Sequence, residues 1–145
     1  MNIKVAFFSV VFTLLFLITP NAIADSQISH APADAQAYIV EPANGATLPS
    51  TFTVKFGLSG MDLAPAGTEQ SNTGHHHLLI DQSELPNLQA SLPSTEQIRH
   101  FGKAQTQTEL TLSPGKHTLR LVLGNYAHVP HDNPVISEPI TITVQ

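Results

Sequence analysis

Apolar and polar residues alternate strictly in three stretches of the chain. The clearest stretch covers residues 51–58, where Phe52, Val54, Phe56 and Leu58 are separated by polar or small residues. Residues 117–123 and 140–144 show the same period of two. Because side chains of a strand point alternately to opposite faces, this pattern predicts strands with one buried face. The predicted common core consists of Phe52, Val54, Phe56, Leu119, Leu121, Leu123, Ile140 and Ile142.

Three further short segments complete the predicted sheet. Residues 38–40 and 108–112 have strand-like composition, and residues 74–81 combine three adjacent histidines with an apolar trio. Proline and glycine turns separate the segments, and no long helical period is present. We therefore predict an all-β, immunoglobulin-like antiparallel β-sandwich of about seven strands. Residues 82–98 contain leucines at helical spacing interrupted by prolines, and we expect a loop there with one helical turn.

The first 24 residues have the pattern of a signal peptide. Lys4 precedes an apolar run, and Ala22-Ile23-Ala24 resembles a cleavage signal. The run is shorter than the about 20 apolar residues of a spanning helix. We expect cleavage after Ala24, a flexible leader over 25–37, and a single domain over 38–145. The mature protein is then exported, periplasmic or secreted, without a membrane anchor.

The amino-acid composition limits the kinds of partner and functional site that we expect. Only 12% of the 145 residues are charged and the net charge is −5, so a nucleic-acid partner is not expected. The chain has no cysteine, which removes disulfides, thiolate nucleophiles and cysteine-based metal sites. Any metal site must therefore use mainly nitrogen and oxygen ligands. Seven of the eight histidines lie between residues 75 and 131.

Four blocks of the sequence resemble one protein family. They are residues 74–81 (GHHHLLID), 100–106 (HFGKAQT), 114–119 (PGKHTL) and 128–131 (HVPH). In this order they are similar to the exported bacterial domain-of-unknown-function family numbered 4399. The resemblance implies a fold and an exported compartment, and the family name implies no activity.

The histidine-rich strand provides the candidate metal site. If it pairs with residues 118–123, antiparallel geometry brings its start close to residues 125–131 and its end close to His117. His75 and His77 share one face of the strand, and a His-x-x-His loop can bring two more rings to them. All-nitrogen ligation suits Cu(II) or Zn(II). The predicted ligands are His75, His77, His128 and His131.

Three other histidines are weaker candidates. His76 shares a face with Leu78 and Ile80, which indicates a buried ring with satisfied nitrogens. His117 stands where immunoglobulin-like domains place a corner residue, so we favour a structural role for it. His100, beside Phe101, is either a core residue or a member of the site. The whole set can alternatively hydrogen-bond loop backbone and bind no metal.

Three functions remain open at this stage. The first is an exported metal-binding or metal-handling protein without chemistry of its own, with another envelope protein as a candidate partner. The second is a copper-dependent redox enzyme, which we disfavour because no catalytic motif or carboxylate pair is present. The third is a structural or interaction domain of the cell envelope, since sandwiches of this type serve many functions.

Overall fold

The structure is a computed structural model that describes residues 27–145. The predicted signal peptide, residues 1–24, lies outside the described residues. Nine strands and no helix occur in the described part. They are β1 (Gln36–Glu41), β2 (Thr47–Leu48), β3 (Thr51–Ser59), β4 (Asp62–Leu63), β5 (Thr73–Ile80), β6 (Ile98–His100), β7 (Gln107–Thr111), β8 (Gly115–Gly124) and β9 (Ile140–Val144). Residues 27–145 include no helix long and apolar enough to cross a membrane.

The strands form two sheets with an immunoglobulin-like order. One sheet has the order β1-β3-β7, and the other has the order β2-β9-β8-β5-β4, with β6 also pairing to β5. The long strands pair antiparallel, whereas β2–β9 and β4–β5 are short parallel pairs. The connections β3 to β5 and β7 to β8 each cross from one sheet to the other. This pairing corresponds to strands A-B-E facing strands C-F-G of an immunoglobulin-like sandwich.

The predicted core is confirmed. Leu119, Leu121 and Leu123 of β8 are fully buried and pack with Phe52 and Val54 of β3 across the sheets. Ile142 of β9 belongs to the same cluster, and the partly buried Ile140 packs against it. A second, smaller cluster of Leu79, Leu92, Ile98 and Val122 lies on the other face of the six-stranded sheet. This sheet is therefore covered on both faces, and the histidine-rich strand β5 is buried along its whole length.

The helical turn expected in residues 82–98 is wrong. This segment consists of bends and turns that lead into the short strand β6. Leu92 and Ile98 are nevertheless buried, because they cover Leu79 and Val122 on the outer face of the sheet. Of the three spaced leucines only Leu92 is buried, while Leu85 is exposed, and the prolines at 86 and 93 remove helical hydrogen-bond donors.

The described part of the expected leader is held against the sandwich. Ala31 is fully buried in the main core, and its backbone N donates to Asp132 Oδ1 over 3.3 Å. The backbone N of Asp132 donates to the carbonyl oxygen of Ser29. Residues 27–35 therefore run along the domain and do not form the flexible leader that their polar, alanine-rich composition suggested.

The placement of Leu121 in the core between the two sheets can be tested by truncating this side chain, which is 0% exposed. Leu121→Ala should lower the free energy of unfolding by about 2–5 kcal/mol, the usual cost of a large cavity in a core. Urea unfolding gives this difference. As a control, Val40→Ala removes methyl groups from a side chain that is 52% exposed and should change stability by less than about 0.5 kcal/mol. Equal effects of the two changes would contradict the placement of Leu121 in the core.

Candidate metal centre

The pairing of β5 with β8 sets the position of the histidines. Residues 75–80 pair antiparallel with residues 119–124, so that His75 faces Gly124 and His77 faces Val122. The start of β5 therefore lies beside the end of β8, from which the chain continues towards His128. This is the pairing that the sequence predicted.

The three consecutive histidines are fully buried, on two different faces of the sheet. His76 points into the main core, where its ring lies 5.3 Å from that of Phe56. His75 and His77 point to the outer face, where loops cover them. The expectation that His76 is buried is confirmed, but neither of its ring nitrogens has a hydrogen-bond partner among the described residues.

Four imidazole rings meet on the outer face. The ring centroids of His75 lie 4.9 Å from His77, 4.9 Å from His100 and 5.0 Å from His128. His100 and His128 are 4.5 Å apart by centroid, and their Nε2 atoms are separated by 3.1 Å. His77 completes the group at 5.2 Å from His100 and 5.9 Å from His128. We call His75, His77, His100 and His128 the histidine cluster.

Within this cluster, His75, His100 and His128 form the tightest group. Each offers one ring nitrogen, and these three atoms lie within 4.8 Å of one another. Among residues 27–145 no other group of three or more histidine or acidic residues meets this criterion. His75 is buried and the other two are half-buried, so the group has a deep side and a side near solvent.

His100 reaches the cluster through the short strand β6. This strand pairs antiparallel with β5, and His100 faces His77 in the register. Two glycines leave room for the rings. A Cβ atom on Gly102 would lie 2.3 Å from Cε1 of His100, and one on Gly124 would lie 2.7 Å from Cε1 of His77. Any larger residue would displace the imidazoles, so these glycines shape the site.

His128 reaches the cluster through a tight loop that Asn125 organises. The Asn125 Oδ1 atom accepts hydrogen bonds from the backbone N of Ala127 and of Val129, and the Asn125 carbonyl accepts one from the N of His128. His128 itself has a left-handed backbone with φ of 66°. The buried Asn125 Nδ2 atom also donates to Ser29 Oγ over 3.0 Å. The N-terminal segment thus braces the loop that carries His128.

His131 has a different environment. Its Nε2 atom lies 3.2 Å from the Thr73 carbonyl oxygen, whereas its buried Nδ1 atom has no partner among the described residues. It does not belong to the tight group. The structure therefore brings together His75 and His128 of the predicted ligands, keeps His77 adjacent, and adds His100, which the sequence left undecided. Their role as ligands stays a prediction.

Burial favours the neutral form of His75, His77 and His100. Desolvation, followed by the charges of His100 and His128, lowers the pKa of His75 to about 4. Desolvation, followed by the charge of His75, lowers the pKa of His77 to about 3. Burial, with the charge of His128, also lowers the pKa of His100. A neutral imidazole has a free lone pair, which is the form that binds a metal ion.

The nitrogens of the buried rings lack other partners. Both nitrogens of His75 and both of His77 are buried and make no hydrogen bond within the described residues. A buried polar atom without a partner costs about 1–3 kcal/mol, so such atoms are uncommon and call for an explanation such as a bound ion. Three ring nitrogens of the cluster, those of His75, His100 and His128, are near enough to one another to coordinate a metal ion.

His117 forms a separate site at the opposite end of the β5–β8 ladder. Its Nε2 atom donates to the Ser113 carbonyl oxygen over 2.8 Å, and its Nδ1 atom donates to Asp81 Oδ2 over 2.7 Å. Both nitrogens donate only when the ring is protonated. The hydrogen bonds to Asp81 and Ser113 accordingly raise the pKa of His117. The ring closes the turn between β7 and β8, which is the corner role predicted for it.

Comparison with known proteins identifies the family. Residues 54–145 match the family described as domain of unknown function (DUF4399), and the chain belongs to this family. No curated protein matches the sequence. One solved structure that matches comes from the fibronectin(III)-like modules of Clostridium thermocellum CbhA. The two chains are 11% identical, with 75% of this chain and 93% of the other covered, at a TM-score of 0.40.

The raised pKa of His117 predicts that the contribution of this residue to stability depends on pH. Because the folded-state pKa of His117 is raised, this contribution is complete below the unfolded value of about 6.5 and is lost as pH rises through the folded value. His117→Gln should lower the free energy of unfolding by about 1–2 kcal/mol at pH 6 and by less at pH 9. Urea unfolding at both pH values tests this. His30→Gln, at an exposed pair, should have little effect, and a loss independent of pH for His117→Gln would refute the protonated corner.

The lowered pKa of His76 predicts the opposite pH dependence of stability. Burial lowers its pKa to about 4, so between pH 6.5 and 4 the unfolded chain binds a proton that the folded chain does not. Stability should therefore fall as pH decreases through this window. In metal-free protein, His76→Leu should reduce this fall and leave stability at pH 7 unchanged or higher, since it replaces an unpartnered polar ring by an apolar side chain. Unfolding at pH 7 and pH 5 measures both effects, and an unchanged acid dependence would be inconsistent with the neutral buried ring.

Proposed function

We propose that this protein binds one divalent transition-metal ion, Cu(II) or Zn(II), through His75, His100 and His128. The observation that carries the proposal is the convergence of three imidazole nitrogens within 4.8 Å on one face of the sheet. Ligands of a zinc or copper ion at about 2.0–2.1 Å are separated from one another by little more than 3 Å, so small side-chain rotations suffice. His77 is the fourth imidazole of the cluster and the candidate for a fourth ligand.

The unpartnered nitrogens favour a metal over a purely structural role. His117 and His131 each have a ring nitrogen within hydrogen-bond distance of a backbone carbonyl oxygen, as expected for structural histidines. His75 has no such contact, although it is fully buried. His76 is also unpartnered, but of these two rings only that of His75 lies beside the rings of His100 and His128. A bound ion would use a lone pair of His75 that otherwise remains unsatisfied in a low-dielectric environment.

The donor set supports Cu(II) or Zn(II). Imidazole nitrogen suits these ions, whereas Cu(I) prefers the sulfur ligands that are absent from the cluster. No carboxylate belongs to the close group within residues 27–145, so the proposed ligands are all imidazole nitrogens. We propose binding or handling of the metal as the function.

The proposed compartment is the bacterial periplasm or the exterior. It is supported by the signal-peptide pattern over residues 1–24. His100 and His128 are half-buried. An ion can reach these two rings from solvent, and His75 lies beneath them. In an exported protein this arrangement would take up an ion from the surrounding medium or from another envelope protein.

Titration of tag-free protein with Cu(II) and Zn(II) tests the proposal. Calorimetry should show one ion per chain, with a rise in melting temperature when the ion is added. Loss of a residue that only hydrogen-bonds a metal ligand already weakens metal binding by about 10–100-fold. Loss of a ligand itself, in His100→Gln or His128→Asn, should therefore have at least this effect. Asparagine is chosen at position 128 because it tolerates the left-handed backbone.

Control variants separate the possible ligand sets. His131→Gln and His30→Gln should retain the affinity of the wild type, since neither ring belongs to the close group. Loss of binding in His131→Gln with retention in His100→Gln would favour the set His75, His77, His128 and His131. If the wild type binds neither ion at micromolar concentration, the histidines serve only the structure, and an interaction domain becomes the better explanation.

A further inference from the structure

A second concave site lies on the same sheet, at the end opposite to the histidine cluster. It is a groove of about 620 Å³ on the outer face, between the end of β5, the first half of β8 and the start of β9. The residues that matter for its chemistry are Leu79, Asp81, Lys116, Thr118, Arg120 and Thr141.

Two cations of β8 stand on the same wall of this groove. Lys116, Thr118 and Arg120 are spaced by two residues, so their side chains point to the same face of the strand. The Cα atoms of Lys116 and Arg120 are about 13 Å apart at the usual rise of a strand. Neither cation takes part in any of the ion pairs found within residues 27–145.

The acidic residue at the groove does not neutralise these cations. Asp81 Oδ2 accepts a hydrogen bond from the protonated His117, and Asp81 Oδ1 accepts one from the backbone N of Thr118 over 2.9 Å. The charge of Asp81 is therefore balanced by His117. The two charges left on the groove are both positive, although the whole chain has a net charge of −5.

Arg120 has an unmet requirement for an acceptor. Its Nε atom is buried and has no hydrogen-bond partner among the described residues. Its neighbour across the β5–β8 ladder is Leu79, which offers no acceptor. Arg120 also lines the groove, and a planar guanidinium suits a carboxylate because two parallel N–H···O bonds can form.

We propose that this groove binds a small organic dicarboxylate. One carboxylate would accept hydrogen bonds from Arg120, and the other would lie against Lys116. The exposed Pro139, which also lines the groove, offers apolar contact to a short carbon chain between them, and the hydroxyls of Thr118 and Thr141 can donate to the carboxylate oxygens. The site is independent of the metal centre, since its residues are at the other end of the ladder.

The distance between the cations makes the proposal selective. A single carboxylate can engage only one of them fully, whereas a dicarboxylate can engage both at the same time. In metal-free full-length mature protein, succinate, glutarate and adipate are suitable probes, with acetate as the monocarboxylate and inorganic phosphate as the compact anion. The best dicarboxylate should bind about tenfold or more tightly than acetate, because it engages Arg120 and Lys116 at the same time.

Amide chemical shifts locate the binding. Titration should move the resonances of residues 116–120 and 141 and leave those of residues 75–77 in place. Arg120→Met should weaken binding of the best dicarboxylate by about tenfold or more, and Lys116→Met by a smaller factor, because Lys116 is exposed and strongly hydrated. Lys103→Met removes an equal charge from an exposed loop outside the groove and should leave the affinity unchanged.

Several outcomes of these experiments would contradict the proposal. Equal weakening by Arg120→Met and Lys103→Met would show a general charge effect, and preference for phosphate or equal binding of acetate would show a simple anion site. The absence of shifts at residues 116–120 with every probe would overturn it. Since Lys116 is exposed, Lys116→Met remains an informative variant even if Arg120→Met destabilises the sheet.

Discussion

The antiparallel register between β5 and β8 is the constraint on which the rest of the molecule depends. It places His75 opposite Gly124 and Ile80 opposite Leu119. A shift by one residue would exchange the two faces of β5 and move Leu78 and Ile80 out of the core. The same register fixes both ends of the ladder. One end receives the loop that carries His128, and the other end brings Asp81 to His117.

The strands with a regular alternation could be predicted from the sequence. β3 and β9 bury one face each, and β8 places residues 119, 121 and 123 in the main core, so that these core residues follow directly from the period of two. The short strands β2, β4 and β6 span two or three residues, too few for any period to be visible. His100 could not be assigned for this reason, since its place depends on a three-residue strand. The bracing of Asn125 by Ser29 joins residues 96 positions apart, which a local pattern does not reveal.

The positions of the predicted ligands could be derived from the sequence only in part. The pairing of β5 with β8 was enough to bring His75, His77 and His128 to one region. It could not distinguish His100 from His131, because His100 is positioned by the three-residue strand β6 and His131 by the path of the loop after residue 125. The left-handed residue His128 turns its own ring towards His100, while His131 lies near the Thr73 carbonyl oxygen.

The two ends of the ladder illustrate how one strand pairing creates opposite electrostatic environments. At the covered end, burial removes water from His75 and His77, which favours neutral rings with free lone pairs. At the open end, a carboxylate and a carbonyl oxygen surround one imidazole, which favours the protonated form. The same side chain thus serves as a candidate ligand at one end and as a cationic hydrogen-bond donor at the other. Solvent access and the nearest acceptor decide between these roles, and both follow from where the ladder places each histidine.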